Sequence, residues 1–404
     1  MAKAKSPVAS SFGKKFSANL DKAFKTIKSP TFAVGFSNVN IWADLGNYAL
    51  NRIMSGRFDR GLLFGRKYIF YGDSGSGKSY LAATVAGRCQ KAHGAHVVWV
   101  DVEKANDQDA GKEWLTNAGV DINDEGFHYV RAGTTQDARS ILSDICQEYR
   151  SAQEEGQEYP PMVLVVDSWA MMNTPNQMEA AEKGEQKFDR GLRIQMIGQI
   201  IIDCVHMTSG LPILTIGVQH IMDSQEEYGP KHKTTGGHKM LYAASGCLLL
   251  TKAKLGNNDS EDQEVVTHYK NLSEKMTADL KKKYAKNSSG GGGKAIGITC
   301  IAENIKSRAS KPYEKINIQI PYLTGIDPYS GLFDVMMSEG ALTTESAGWY
   351  QYTNLDKKVV KFRKAEYRDH VDSIMKTMQP DVSLKDSSKP AVVVPEQEGP
   401  EDGE

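Results

Sequence analysis

The glycine loop Gly72-Asp73-Ser74-Gly75-Ser76-Gly77-Lys78-Ser79 constrains this chain more than any other stretch. It follows the apolar run Tyr68-Ile69-Phe70-Tyr71 and leads into Tyr80-Leu81-Ala82-Ala83-Thr84-Val85-Ala86, whose composition suits a helix start. A buried strand, a tight glycine turn and a helix N-terminus, in that order, let successive backbone N–H groups and the helix dipole converge on phosphate. The spacing places Lys78 within reach of the β- and γ-phosphates and the Ser79 hydroxyl on Mg²⁺. The segment Gly72–Tyr80 is therefore the expected nucleoside triphosphate site.

The flanking pattern supports that frame. From about Ile41 to Ile320, short apolar runs alternate with helical segments, as in an α/β protein with a mostly parallel central sheet. Strands are expected at Lys67–Tyr71, His96–Asp101, Phe127–Arg131, Met162–Asp167, Pro212–Gln219, Gly246–Thr251, Gly297–Glu303 and Ile316–Ile320, with helices such as Thr135–Arg150 and Phe188–Ser209 between them. Continuous apolar runs such as Val163-Leu164-Val165-Val166 suit strands covered on both faces. At 404 residues, the chain has room for one large core with appendages or for two domains.

Four segments stand outside the core. Residues 1–40 form a basic arm in which Phe16, Leu20, Phe24 and Ile27 make one apolar face, too small to bury itself and in need of a docking partner. Residues 256–294 are polar, lysine-rich and end in a glycine run, which reads as a flexible insertion within a core spanning 41–324. Residues 325–380 suit a small C-terminal lobe without a sizeable core of its own, and 381–404 an acidic, disordered tail. Such a tail can compete with a polyanion for a basic surface elsewhere on the protein.

No run approaches the roughly 20 apolar residues of a membrane span. The basic N-terminus lacks the apolar core of a secretory signal. Cys89, Cys146, Cys204, Cys247 and Cys300 are scattered and form no C-x-x-C pair, the usage of reduced thiols in a cytoplasmic protein without a zinc site. His220, His232 and His238 lack partners at ligand spacing, so no metal site is expected there.

Several further residues carry chemistry. Asp167 ends an apolar strand and can hold Mg²⁺ together with Ser79. Glu103 lies just beyond the run Val98–Val102, where a carboxylate can orient a water for hydrolysis. Gln219 and His220 end the strand after Asp167, and either can contact the γ-phosphate. The following loop carries Tyr228, Lys231, Lys233, Thr234, Thr235, Gly236 and Gly237, donors and charge suited to a polyanion. The polar segment Asn173–Arg193 adds Lys183, Lys187, Arg190 and Arg193. Lys306 and Arg308, two apart at a strand end, need an anionic partner, and a neighbouring subunit's triphosphate is one.

Together these residues resemble the RecA family of strand-exchange ATPases, most closely the UvsX-type recombinases of tailed phages. The resemblance covers about Ile41 to Tyr352. It rests on Gly65-Arg66, Val102-Glu103-Lys104-Ala105, Val166-Asp167-Ser168, Thr234-Thr235-Gly236-Gly237, Lys306-Ser307-Arg308, Gly325-Ile326-Asp327-Pro328-Tyr329-Ser330-Gly331-Leu332 and Gly348-Trp349-Tyr350. It implies a helical filament on single-stranded DNA that pairs with double-stranded DNA, with ATP and Mg²⁺ held between subunits. Glu103 then matches the catalytic glutamate and His220 or Gln219 the γ-phosphate sensor. The segments Asn173–Arg193 and Ile221–Lys239 match two DNA-binding loops, and Lys306 and Arg308 match cations acting across the interface. Trp114 is the nearest aromatic to stand where bacterial relatives stack one on adenine. Single-strand-binding and mediator proteins are further implied partners, and a phage-encoded chain would work in the host cytoplasm. Alternative readings are a RecA-like ring helicase, a small-molecule P-loop kinase, or an ATP-bound structural filament without turnover.

Overall fold

The computed structural model describes residues 15, 18–20, 22–23, 25–26, 37–104, 108–187, 191–223, 232–234, 238–255, 297–321 and 325–382. Phe16, Phe24, Ile27, the 256–294 segment and residues 383–404 of the acidic tail lie outside them; Asp381 of that tail pairs with Arg57 and Val382 is buried.

The apolar runs become strands β3 (Lys67–Gly72), β4 (His96–Asp101), β5 (Phe127–Arg131), β6 (Met162–Asp167), β7 (Ile213–Asp223), β9 (Gly246–Leu255), β10 (Gly297–Ser307) and β11 (Lys315–Pro321), after a short pair β1 (Trp42–Ala43) and β2 (Leu62–Leu63). They assemble in the order β11-β10-β9-β3-β7-β6-β4-β5, and β8 (His232–Thr234) pairs with β7. Neighbours from β9 to β5 are parallel, whereas β10 runs antiparallel to β9 and β11. The sheet is thus mostly parallel with an antiparallel flank, a RecA-like α/β core.

Alternation along each strand feeds two cores. Val97, Trp99, Val163, Val165, Leu214 and Ile216 pack with Leu81, Ala82, Val85 and Ala86 of α2 (Lys78–His93). Val98, Val100, Leu164, Val166, Ile69 and Tyr71 pack on the other face. Their partners are Leu142 and Cys146 of α4 (Thr135–Glu154) and Ile197, Ile200 and Cys204 of α6 (Leu192–Met207). Burial on both faces explains why these strands read as unbroken apolar runs. All five cysteines are buried free thiols.

Several elements depart from the linear reading. The segment after Asn173 is not all loop: α5 (Pro175–Glu182) opens with a Thr174–Gln177 capping box and a proline in its first turn. A short α1 (Tyr48–Ser55) and α3 (Asp109–Asn117) also form. The C-terminal region forms α8 (Leu332–Ser338), the strands β12 (Thr343–Ser346), β13 (Trp349–Thr353) and β14 (Val359–Arg363), and α9 (Tyr367–Met378). Its Phe362, Val371, Ile374 and Met375 belong to the same apolar cluster as α1 and α2. Asn47 fastens the turn before α8 by donating to the Asp327 and Ser330 carbonyls at 2.8 and 2.9 Å. Among the described residues, no helix is long and apolar enough to cross a membrane.

Candidate nucleotide site

The glycine loop leaves β3 at the carboxyl edge of the sheet, beside the ends of β7 and β9, where open α/β sheets bind ligands. Gly72 passes so close to β9 that a Cβ there would stand 1.9 Å from the Leu250 carbonyl oxygen, so only glycine fits. Lys78 is 5% exposed, and its ammonium donates to the Asp73 carbonyl at 2.6 Å. Burial lowers its pKa, against the pull of Asp167 and Glu103. Ser76 is fully buried with its hydroxyl unpartnered, facing the Gly72 side of the loop. A buried donor without a partner, a cradle closed to any side chain and a desolvated cation are features that a phosphate chain would satisfy.

The carboxylates come from neighbouring strands in register, Asp101 of β4 opposite Asp167 of β6. Asp167 is hydrogen-bonded to Ser79, and burial pushes its pKa up to about 6, with Glu103 and Asp101 adding repulsion. Among the described residues, no cluster of three or more His, Cys, Asp or Glu side chains could hold a metal. Ser79 and Asp167 fit a Mg²⁺ that draws the rest of its shell from phosphate and water.

A turn past β4 places Glu103. Asp101 anchors it by accepting from the Lys104 N–H at 2.8 Å and from the Tyr129 hydroxyl, while the Val102 N–H donates to the Asp167 carbonyl at 2.7 Å. Glu103 Oε1 accepts from the Ser168 hydroxyl at 2.7 Å and stands 2.7 Å from His220 Nε2. The His220 bond, aided by Ser168, holds the Glu103 pKa below the usual carboxylate range despite partial burial.

Alternation along β7 separates the two sensor candidates: Gln219 is fully buried, while His220 opposite Gly72 reaches Glu103. Trp114 packs edge-on against Tyr80 and Trp99, with ring centres 6.1 and 6.3 Å away, and the Tyr80 ring lies against Gly325.

Lys183 pairs with Glu179 at 2.5 Å, Lys187 is exposed, and Arg193 donates to the Ala170 carbonyl. Lys233 and Thr234 lie on β8. Arg190, Tyr228, Lys231, Thr235, Gly236 and Gly237 lie outside the described residues. Lys306 donates to the Leu241 and Tyr242 carbonyls of α7 (His238–Ala243) at 2.6 and 2.9 Å, and Arg308 is exposed. Sequence reasoning gave no role to Ser168, although it directly follows Asp167. It missed Lys252, whose place depends on which strand lies beside β3.

This sheet order and loop geometry define a RecA-like α/β core with a phosphate-type cradle at its carboxyl edge. No protein-family model matches the chain. It is 23% identical over 345 residues to the protein RecA of Thermus aquaticus, 84% of each chain. It is 24% identical over 293 residues to that of Pseudomonas putida, 72% of this chain and 67% of the relative. With that of Treponema denticola it shares 22% over 290 residues, 71% of this chain and 57% of the relative. These similarities support a place in the RecA family.

Proposed function

We propose that this chain is an ATP-dependent DNA recombinase of the RecA family, of the phage UvsX type. It would form helical filaments on single-stranded DNA, pair that strand with a homologous duplex and hydrolyse ATP in a DNA-dependent manner. The observation that carries this reading is the Glu103 carboxylate held between Ser168 and His220 beside the glycine cradle.

In this reading Lys78 and the loop N–H groups bind the phosphates, and Ser79 and Asp167 hold Mg²⁺, which would neutralise charge on the phosphate oxygens. Glu103, ionised at neutral pH, orients a water for in-line attack on the γ-phosphorus and accepts its proton as ADP leaves. His220 exchanges Glu103 for the γ-phosphate and passes that change along β7 to β8, whose flanking loop belongs to the DNA-binding segment. DNA contacts run chiefly to phosphate and are therefore salt-sensitive and sequence-independent. Lys306 and Arg308 act on the neighbouring subunit's ATP.

The test is ATP turnover with and without single-stranded DNA, paired with electron microscopy in a non-hydrolysable ATP analogue. Turnover should rise several-fold with DNA, and helical filaments should appear. A rate indifferent to DNA, or rings in place of filaments, overturns the reading.

A further inference from the structure

The phosphate cradle carries a second lysine that the glycine-loop pattern does not contain. β9 lies parallel to β3 with Leu250 opposite Gly72, and it extends past that pair. Residue 252 therefore runs alongside residue 74 of the loop. There the Lys252 ammonium donates to the Ser74 carbonyl at 2.5 Å and stands 3.0 Å from where a Cβ on Gly75 would be.

Lys78 and Lys252 thus rest on consecutive loop carbonyls, those of Asp73 and Ser74. Among the described residues, no carboxylate pairs with the Lys252 ammonium. The two ammoniums repel each other across the loop. A neutral carbonyl satisfies one N–H of an ammonium and offsets little of its charge. Two ammoniums and the unpartnered, fully buried Ser76 hydroxyl thus meet at one glycine loop. A chain of several phosphates can engage both lysines at once; a single phosphate reaches one.

We propose that Lys252 is a second phosphate-binding cation of the nucleotide site, acting from the same subunit as Lys78 and favouring nucleotides with longer phosphate chains. The inference rests on the nucleotide reading above and adds to it a residue that discriminates triphosphate from shorter nucleotides. Because the side chain is exposed and belongs to a strand flanking the loop, its removal leaves the core packing intact.

The experiment is a fluorescence titration of the full chain with a ribose-labelled, non-hydrolysable ATP analogue, followed by competition with ADP and adenosine. Lys252→Ala should weaken the triphosphate about tenfold, the scale of one hydrogen bond to a charged group. It should weaken ADP less and leave adenosine unchanged. Lys252→Arg should restore most of the affinity, and the thermal midpoint without nucleotide should match the wild type. If Lys252→Ala does not fold, Lys252→Met is titrated instead, with the same expectations.

Wild-type affinity for the triphosphate in either neutral variant overturns the assignment, as does an equal loss for triphosphate, diphosphate and adenosine. The two readings fail separately. A wild-type chain that binds no nucleotide removes the underlying nucleotide reading. A tight wild type and a weak Lys78→Ala beside an unchanged Lys252→Ala remove Lys252 alone.

Discussion

Asp167 ends β6 and Glu103 lies just past the neighbouring β4, both near one lysine, yet their surroundings drive them in opposite directions. Burial holds Asp167 near a pKa of about 6, while His220 and Ser168 keep Glu103 ionised well below that. Divergent carboxylates of this kind suit separate roles, in the function proposed above those of metal ligand and water-orienting base. Between the unfolded value of 3.8 and about 6, the folded nucleotide-free protein binds a proton at Asp167 that the unfolded chain does not. Its stability therefore rises as pH falls through about 6, and above pH 6 the buried charge is a net cost. Asp167→Asn should stabilise the metal-free protein at pH 7.5 by up to about 3 kcal/mol, an advantage that fades toward pH 4. The same change should abolish Mg²⁺-dependent nucleotide binding. In the wild type that binding should weaken as pH drops below about 6, with protons released on binding. Thermal melts at the two pH values decide the first point: a variant that melts at or below the wild type at pH 7.5 contradicts it. Calorimetry in buffers of different ionisation enthalpy reads the protons.

At the scale of elements, α2 carries Lys78 and Ser79 in its first turn, so its seating on the sheet sets the cradle. Midway along it, Gly87 meets the loop after α3, and a Cβ there would stand 2.0 Å from the Gly119 carbonyl oxygen and 2.8 Å from the Val120 nitrogen. Neither is a side chain that can swing aside. Gly87→Ala should therefore lift the helix and destabilise the protein by about 1–3 kcal/mol. Urea unfolding measures the loss, and wild-type stability in this variant would show that the helix yields freely at this contact. The strands were legible as sequence because burial on both faces leaves apolar runs bounded by polar turns; His96–Asp101, Phe127–Arg131 and Met162–Asp167 form over their expected spans. α3 buries little beyond Gly111 and Leu115, and α5 only Ala180, too little for an apolar period to stand out. Glu103 and Asp167 could be found as carboxylates at strand ends. The Glu103–His220 bond and the approach of Lys252 depend on strand order and register, which no linear spacing encodes. β10 ends at Ser307, between Lys306 and Arg308, so strand spacing alone does not place the two cations relative to each other.

At the scale of the whole molecule, the question is whether one chain holds a complete site. Lys306 is turned inward, where it binds the last carbonyls of α7, and Arg308 is exposed beyond the end of β10. Arg308 is near enough to Lys306 to lower the latter's pKa slightly, second to burial and against Cys247, so the two cations form one basic corner. If that corner serves the neighbouring subunit's ATP, Arg308→Ala should leave ATP binding by isolated subunits unchanged. Its turnover on single-stranded DNA should fall by a factor on the order of 10³, as for other arginines supplied in trans. A mixing experiment isolates the geometry. Lys78→Ala subunits should turn over no ATP of their own but retain Arg308; Arg308→Ala subunits should bind ATP but lack the cation. In a head-to-tail assembly, an Arg308→Ala subunit that receives Arg308 from a Lys78→Ala neighbour has every group it needs. Random assembly of equal parts should then recover roughly a quarter of wild-type turnover from two inactive proteins. If Arg308 acted on its own chain's ATP, every subunit in the mixture would lack one essential group. A mixture as inactive as its components would therefore place Arg308 in cis and make each protomer's site self-contained.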